Sequence, residues 1–258
     1  MNSTLYTAKT GLSAQDLKLT YIANNIANSE TTGFKAQRPE FAALMTKKIR
    51  EPSASEGAAG GGLQIGTGVQ AVGTITDHSQ GQIIETQRQY DLMIQGDGFF
   101  KVIKDDGTEL YTRNGTFMVN EDGDLATFNN YLLEPSIAVP DNATSIIIDR
   151  MGVVTALYSD DAEGDEIGEI ELYKFINPNG LLQLDGGTYA MTESSGDEIA
   201  GTPDEDGFGY LMQGYVEGSN VDTISEMVNM ISAQRTYDMA SKSLQSANQT
   251  MQQLTQVL

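Results

Sequence analysis

The chain has 258 residues, 39% of them hydrophobic, and a formal net charge of −21. That length suits one large domain or two ordinary ones with a modest core, and the sign of the charge excludes nucleic acid, whose phosphates need clustered Lys and Arg, and disfavours an anionic membrane surface. Cysteine is absent, which removes disulfides, thiolate nucleophiles and Cys-based metal sites.

The opening MNSTLYTAKTG lacks a basic segment followed by an apolar one, so no cleavable secretory signal is expected. No run reaches the roughly 18 apolar residues of a spanning helix, so no direct membrane insertion is expected either. Leu5, Ala8, Leu12, Gln15, Leu19, Ile22 and Ile26 recur at steps of three and four, a heptad seam that predicts a helix about 38 Å long. Asn24, Asn25 and Asn28 lower helix propensity, and Thr31-Thr32-Gly33 stops it. Residues 31 to 70 read as a connector with an extended loop or hairpin, and REPSASEGAAGGG at 50 to 62 is its small-residue linker.

From 71 to 217 the grammar is that of strands and turns, predicting a central all-β domain. Runs at 91–94, 99–103, 145–148 and 169–175 are the clearest strands. Asp106-Gly107, Asn114-Gly115, Asp122-Gly123, Asn179-Gly180 and Asp185-Gly186 are candidate tight turns. This middle also holds the acidity: residues 141 to 206 carry sixteen Asp and Glu against only Arg150 and Lys174, while both ends are nearly neutral and free to associate.

The last segment, 218 to 258, mirrors the first. Met230, Ala233, Tyr237, Ala240, Leu244, Ala247, Met251, Leu254 and Leu258 form a second seam, joined early by Ile224, Met227, Val228 and Ile231. No Gly or Pro follows Gly218, and Asp222 suits an N-cap with Glu226 in the first turn, so a helix of roughly 50 Å is expected. The alanines keep both seams slim. The two helices pack on each other within one chain, or on helices of other copies to give a polymer; the pattern alone supports both. The fold class is α+β, with long terminal helices forming a coiled-coil-like layer and a β domain between them.

Chemistry finds little footing. His78 is the sole histidine and reads as a surface or turn residue. The acids from Asp160 to Glu171 read as a solvated loop, because an EF-hand frame starting at Asp161 meets Glu166 where Gly is needed and Leu172 where the bidentate acid belongs. Gly60-Gly61-Gly62 and Gly66-Thr67-Gly68 are not followed by Lys-Ser/Thr or by a helix, so no phosphate loop is expected. With 36 Asp and Glu some carboxylate pair always looks eligible for glycoside hydrolysis, and the lack of Trp, a usual sugar platform, weighs against it. Tyr6, Tyr21, Met227, Met230, Met239 and Met251 read as helix-packing residues. No catalytic, cofactor-binding or metal-ligating residue and no cofactor is expected.

One resemblance organises these observations. Leu12-Ser13-Ala14-Gln15 with IANNIANSETTGFK at 22 to 35 is similar to the N-terminal signature of the bacterial flagellar rod and hook family. EGSNVDTISEMVNMISAQRTYDMASKSLQSANQTMQQLTQ at 217 to 256 resembles its C-terminal signature, and QGDGFF, YTRNGTF and FINPNGL resemble its middle motifs. IREP at 49 to 52 and GLQIGTGV at 62 to 69 resemble the segment that sets distal rod members apart from proximal rod and hook members. The acidic stretches at 159 to 171 and 195 to 207 depart from the family pattern.

The resemblance implies a structural axial protein, exported through the flagellar export apparatus without cleavage and stacked helically into a hollow shaft outside the cytoplasmic membrane. Leu5, Leu12, Leu19, Ile22, Ile26, Ile231, Tyr237, Leu244, Met251 and Leu254 would form the assembly interface. Asn24, Asn25, Asn28, Thr32, Gly33 and Phe34 would be the family motif leading toward an outer β domain. Its partners would be further copies, other rod and hook proteins, the export apparatus and the rings around the rod. The alternatives are a proximal rod or hook subunit and, in a different class, a secreted stalked β domain that binds or cleaves cell-wall polymer.

Overall fold

In the computed structural model, which describes residues 2–50, 63–158 and 164–257, both expected helices are present. The fold is α+β, with a helix at each end of a β-rich middle, and the chain divides into two units. The first contains α1 (Asn2–Ala27), β1 (Gln37–Ala43), β2 (Thr46–Arg50), β3 (Leu63–Gly66), β4 (Val69–Thr76) and α2 (Thr223–Val257). Here β1 pairs antiparallel with β4, from Gln37 opposite Thr76 to Ala43 opposite Val69, and β2 pairs with β3. The linker-like residues 51–62 lie outside the described residues.

Local chemistry accounts for the helix ends. α1 stops where Asn28 turns the chain, its carbonyl accepting from the Thr31 N–H at 3.2 Å. α2 starts where the Asp222 carboxylate accepts the Ile224 N–H at 3.1 Å and the Ser225 hydroxyl at 2.6 Å, satisfying donors that a helix start leaves orphaned. The two helices pack on each other within the chain, and α1 also lies on β1 and β4.

The second unit spans 28–36 and 77–221. Its strands in order are β5 (Ile83–Glu85), β6 (Leu92–Gln95), β7 (Phe100–Ile103), β8 (Glu109–Thr112), β9 (Phe117–Val119), β10 (Leu125–Thr127) and β11 (Leu132–Glu134). There follow β12 (Ser145–Ile148), β13 (Val153–Leu157), β14 (Asp165–Glu169), β15 (Leu172–Lys174), β16 (Leu182–Gln183) and β17 (Thr188–Ala190). The last are β18 (Ile199–Gly201), β19 (Tyr210–Gln213) and β20 (Tyr215–Glu217). Seven strands form one sheet in the order β16-β17-β8-β7-β11-β10-β9, three form β12-β13-β14, and β15–β18, β19–β6 and β20–β5 are pairs, all antiparallel.

Strand alternation builds two cores. Phe100 and Val102 join Leu92, Phe117, Leu133 and Ile170 in the larger, whereas Phe99 turns to Tyr111, Tyr173, Phe175 and Tyr189 in an aromatic one. Lys101 shares that second side and is 6% exposed, with Glu109 at 3.0 Å and Glu198 at 3.1 Å. Burial alone would lower its pKa, but hydrogen bonds to those two carboxylates raise it.

Four readings of the middle need correction. The run 169–175 is not one strand: it ends β14 and begins again as β15 in a different sheet. Asn114-Gly115 is no hairpin turn; Gly115 is needed because a Cβ there would meet the Leu92 carbonyl oxygen. In the acidic stretch Asp165–Glu169 is a strand paired with β13 at a sheet edge and not a loop, while Asp160, Asp161 and Glu163 lie outside the described residues. His78 is half-buried and not a plain surface residue: its ring nitrogens are buried, and the ring packs on Phe99 and Tyr189 at centroid distances of 5.9 Å.

Candidate assembly interface

In the helical unit, Ile22 is buried and Leu12, Leu19 and Ile26 are half-buried, covered from within the chain. On α2, Ala233 is 2% exposed and Met230, Ala240 and Leu244 are half-buried, while Tyr237 sits at the margin. Ile231 does not share that side. With Ile224, Met227 and Val228 it forms an i, i+3, i+4, i+7 stripe whose members are 52%, 76%, 51% and 61% exposed, respectively. At 3.6 residues per turn the stripe lies roughly 150° around the helix from the covered side, so α2 carries two apolar faces. Leu5, Met251 and Leu254 lie outside the residues whose side chains are described.

Most of the motif residues have a local task. The Asn25 side chain, 3% exposed, clamps Gln37 from both sides, donating to its carbonyl at 2.9 Å and accepting its N–H at 3.0 Å. Asn28 accepts the Thr31 hydroxyl at 3.2 Å, and Thr32 donates to the Asn114 side chain at 3.2 Å. Gly33 has φ +69°, and a Cβ on it would lie 2.7 Å from the Asn114 nitrogen, so only glycine fits. Phe34 is buried, whereas Asn24 is exposed.

Next to this motif, within the β-rich unit, lies a buried charge cluster that sequence reading missed. The Lys35 ammonium sits 2.5 Å from Glu217 Oε1 and donates to the Ser79 carbonyl at 2.7 Å. Arg113 lies 3.6 Å from Glu217 Oε2 and donates to the Gly96 carbonyl at 2.8 Å. Glu217 also accepts the Gly81 N–H at 2.9 Å, and its carbonyl accepts the Gly33 N–H at 2.7 Å. Burial pulls both cations below their usual pKa, with Glu217 opposing. Burial first, then the charges of Lys35 and Arg113, push His78 down to about 4.

Asn220 ties in further backbone of the same unit. Its side chain accepts the Ala36 N–H at 2.8 Å and donates to the Asp77 carbonyl at 2.8 Å, and Asp77 N–H donates to the Ala36 carbonyl at 2.8 Å. Ala36, Asp77 and Asn220, all in the β-rich unit, thus belong to one bonded cluster. No local signal announces it, because Lys35 and Glu217 are 182 residues apart. Among the described residues no group of three or more His, Cys, Asp or Glu is placed to hold a metal ion.

The chain thus has a helix at each end of a β-rich middle, and buried charges tie segments of backbone together within the β-rich unit. The sequence matches the family described as flagella basal body rod protein over residues 5–35, the flagellar hook protein FlgE/F/G D1 domain over 93–156 and the flagellar basal body rod FlgEFG protein C-terminal region over 212–257. It is 41% identical to the flagellar basal-body rod protein FlgG of Buchnera aphidicola subsp. Acyrthosiphon pisum, covering all of both chains. It is 39% identical to FlgG of Agrobacterium fabrum, over 94% of each chain, and 29% identical to the rod protein FlgF of Salmonella typhimurium, over 100% of this chain and 99% of that one. The chain is a member of the flagellar basal-body rod protein family.

Proposed function

We propose that the chain is a structural subunit of the distal rod, the hollow shaft of the flagellar basal body, and that it acts by self-assembly and not by catalysis. The observation that supports this is likeness to rod proteins along the full length, both terminal helices included. Stacked as a helical homopolymer, the terminal helices form a coiled-coil-like layer lining the lumen; its stiffness carries motor torque to the hook, and the lumen passes exported subunits. Leu5, Leu12, Leu19, Ile22, Ile26, Tyr237, Leu244, Met251 and Leu254 hold that layer together, within and between copies.

The partners are further copies, other rod and hook proteins, the export apparatus that delivers the chain, and the rings around the shaft. Its place is outside the cytoplasmic membrane; among the described residues no helix is long and apolar enough to cross one. Residues 46–69 lie across an adjacent subunit in this reading, and deletion of 50–62 softens the shaft. Unchanged bending stiffness after that deletion would refute the bridging role. The function itself is tested by amide hydrogen exchange on dilute and assembled protein. Residues 2–27 and 223–257 gain protection on assembly; identical exchange in both states overturns the reading.

A further inference from the structure

Resting on the rod reading, we propose that the outward stripe of α2, Ile224, Met227, Val228 and Ile231, seats in the groove between α1 and β4 of a second copy. That groove has a volume of about 440 Å³ and is lined by Thr10, Ala14, Leu17 and Thr20 of α1 and by Val69 and Ala71 of β4, all within the helical unit. The α1 lining lies on the side of that helix away from its covered seam of Leu12, Leu19 and Ile26, by the same 100° per residue. α2 therefore has one face satisfied inside the chain and one facing outward, while the far side of α1 meets β4 at the groove, where the Thr10 hydroxyl accepts the Val69 N–H at 3.4 Å.

Three observations select a second copy as the occupant. The stripe is apolar, 51% exposed at its least exposed residue, and ends sharply where Arg235, Asp238 and Lys242 take over the same face. The groove is lined largely by short side chains, so a helix can approach closely, and Asp16 at its rim is an acid for Arg235 one turn beyond the stripe. The chain as a whole is at −21, but these helices are nearly neutral, so copies meet here without the repulsion that the acidic middle imposes. Stripe and groove are different patches on one molecule. Such a heterologous contact propagates as an open helical array wherever its rotation does not close a ring, the geometry a shaft needs.

The absence of cysteine gives a clean test on the full-length chain. Ser13→Cys and Val228→Cys are made on separate chains, mixed under assembling conditions and oxidised, with Lys18→Cys replacing Ser13→Cys as the control. A Ser13/Val228 cross-linked pair several-fold above the control pair, and above either like pair, supports the contact. Polymer without that excess overturns the contact and leaves the rod reading standing; no polymer and no cross-link at any concentration overturns both. A second measurement uses Arg235→Glu, which is expected to raise the concentration for half assembly about tenfold, with Asp16→Arg in the same chain restoring it. Arg235 is exposed, so unchanged monomer unfolding accompanies the shift. No shift with Arg235→Glu refutes the assigned register.

Discussion

Glu217→Gln is the sharpest probe of the buried charge cluster. Lys35 and Glu217 side chains are 0% and 1% exposed and Arg113 is 5% exposed, so Glu217 is the anion that two buried cations share. Neutralising it leaves Lys35 and Arg113 facing each other out of water, and breaking a buried pair this way costs about 3–5 kcal/mol. Lys35→Met removes one cation but leaves Arg113 and Glu217 balanced, so its cost is nearer that of a charged hydrogen bond, about 1.5–3 kcal/mol. Urea unfolding followed by tyrosine fluorescence reads the difference, since Tyr111, Tyr173 and Tyr189 are buried in the same unit. If Glu217→Gln costs no more than Lys35→Met, the account of a shared anion is wrong.

Acidification should loosen the same unit. His78 is held near 4 when folded and titrates near 6.5 when unfolded, so between those values the unfolded chain binds more protons and stability falls as pH drops. The loss attributable to His78 is on the order of 2–3 kcal/mol, and a His78→Gln chain should lack it when midpoints at pH 7 and pH 4.5 are compared. Gly33→Ala, forced into a left-handed conformation against the Asn114 backbone, should cost about 1–3 kcal/mol in the same urea assay. Asp222→Ala removes two bonds from the start of α2 and should lower the thermal midpoint with frayed helicity at 222 nm; an unchanged thermal melt would contradict its capping role.

The terminal helices were legible because helix formation is signalled locally. A three-four apolar repeat, an Asp at the start of α2 and an Asn-rich, Gly-terminated end to α1 set their limits within a few residues. Turns at Asp106-Gly107 and Asp122-Gly123 were legible for the same reason, as φ values of +80° and +90° at the glycines show. Asn114-Gly115 has equal turn chemistry, yet there glycine answers a close approach by Leu92, which no neighbouring residue announces. The break between β14 and β15 likewise depends on which distant strand each segment pairs with.

By itself, then, the sequence determined the two helices, the β grammar between them, the acidic middle and the family signature, all encoded in neighbouring residues. Only the tertiary structure decided that Lys35, Arg113 and Glu217 share one buried site, that the ring nitrogens of His78 are buried, and that α2 shows an uncovered apolar face nearly opposite a covered one. The physical reason is distance along the chain. A charge is known to be buried, or a stripe to be bare, only once segments tens to hundreds of residues apart have come together around it.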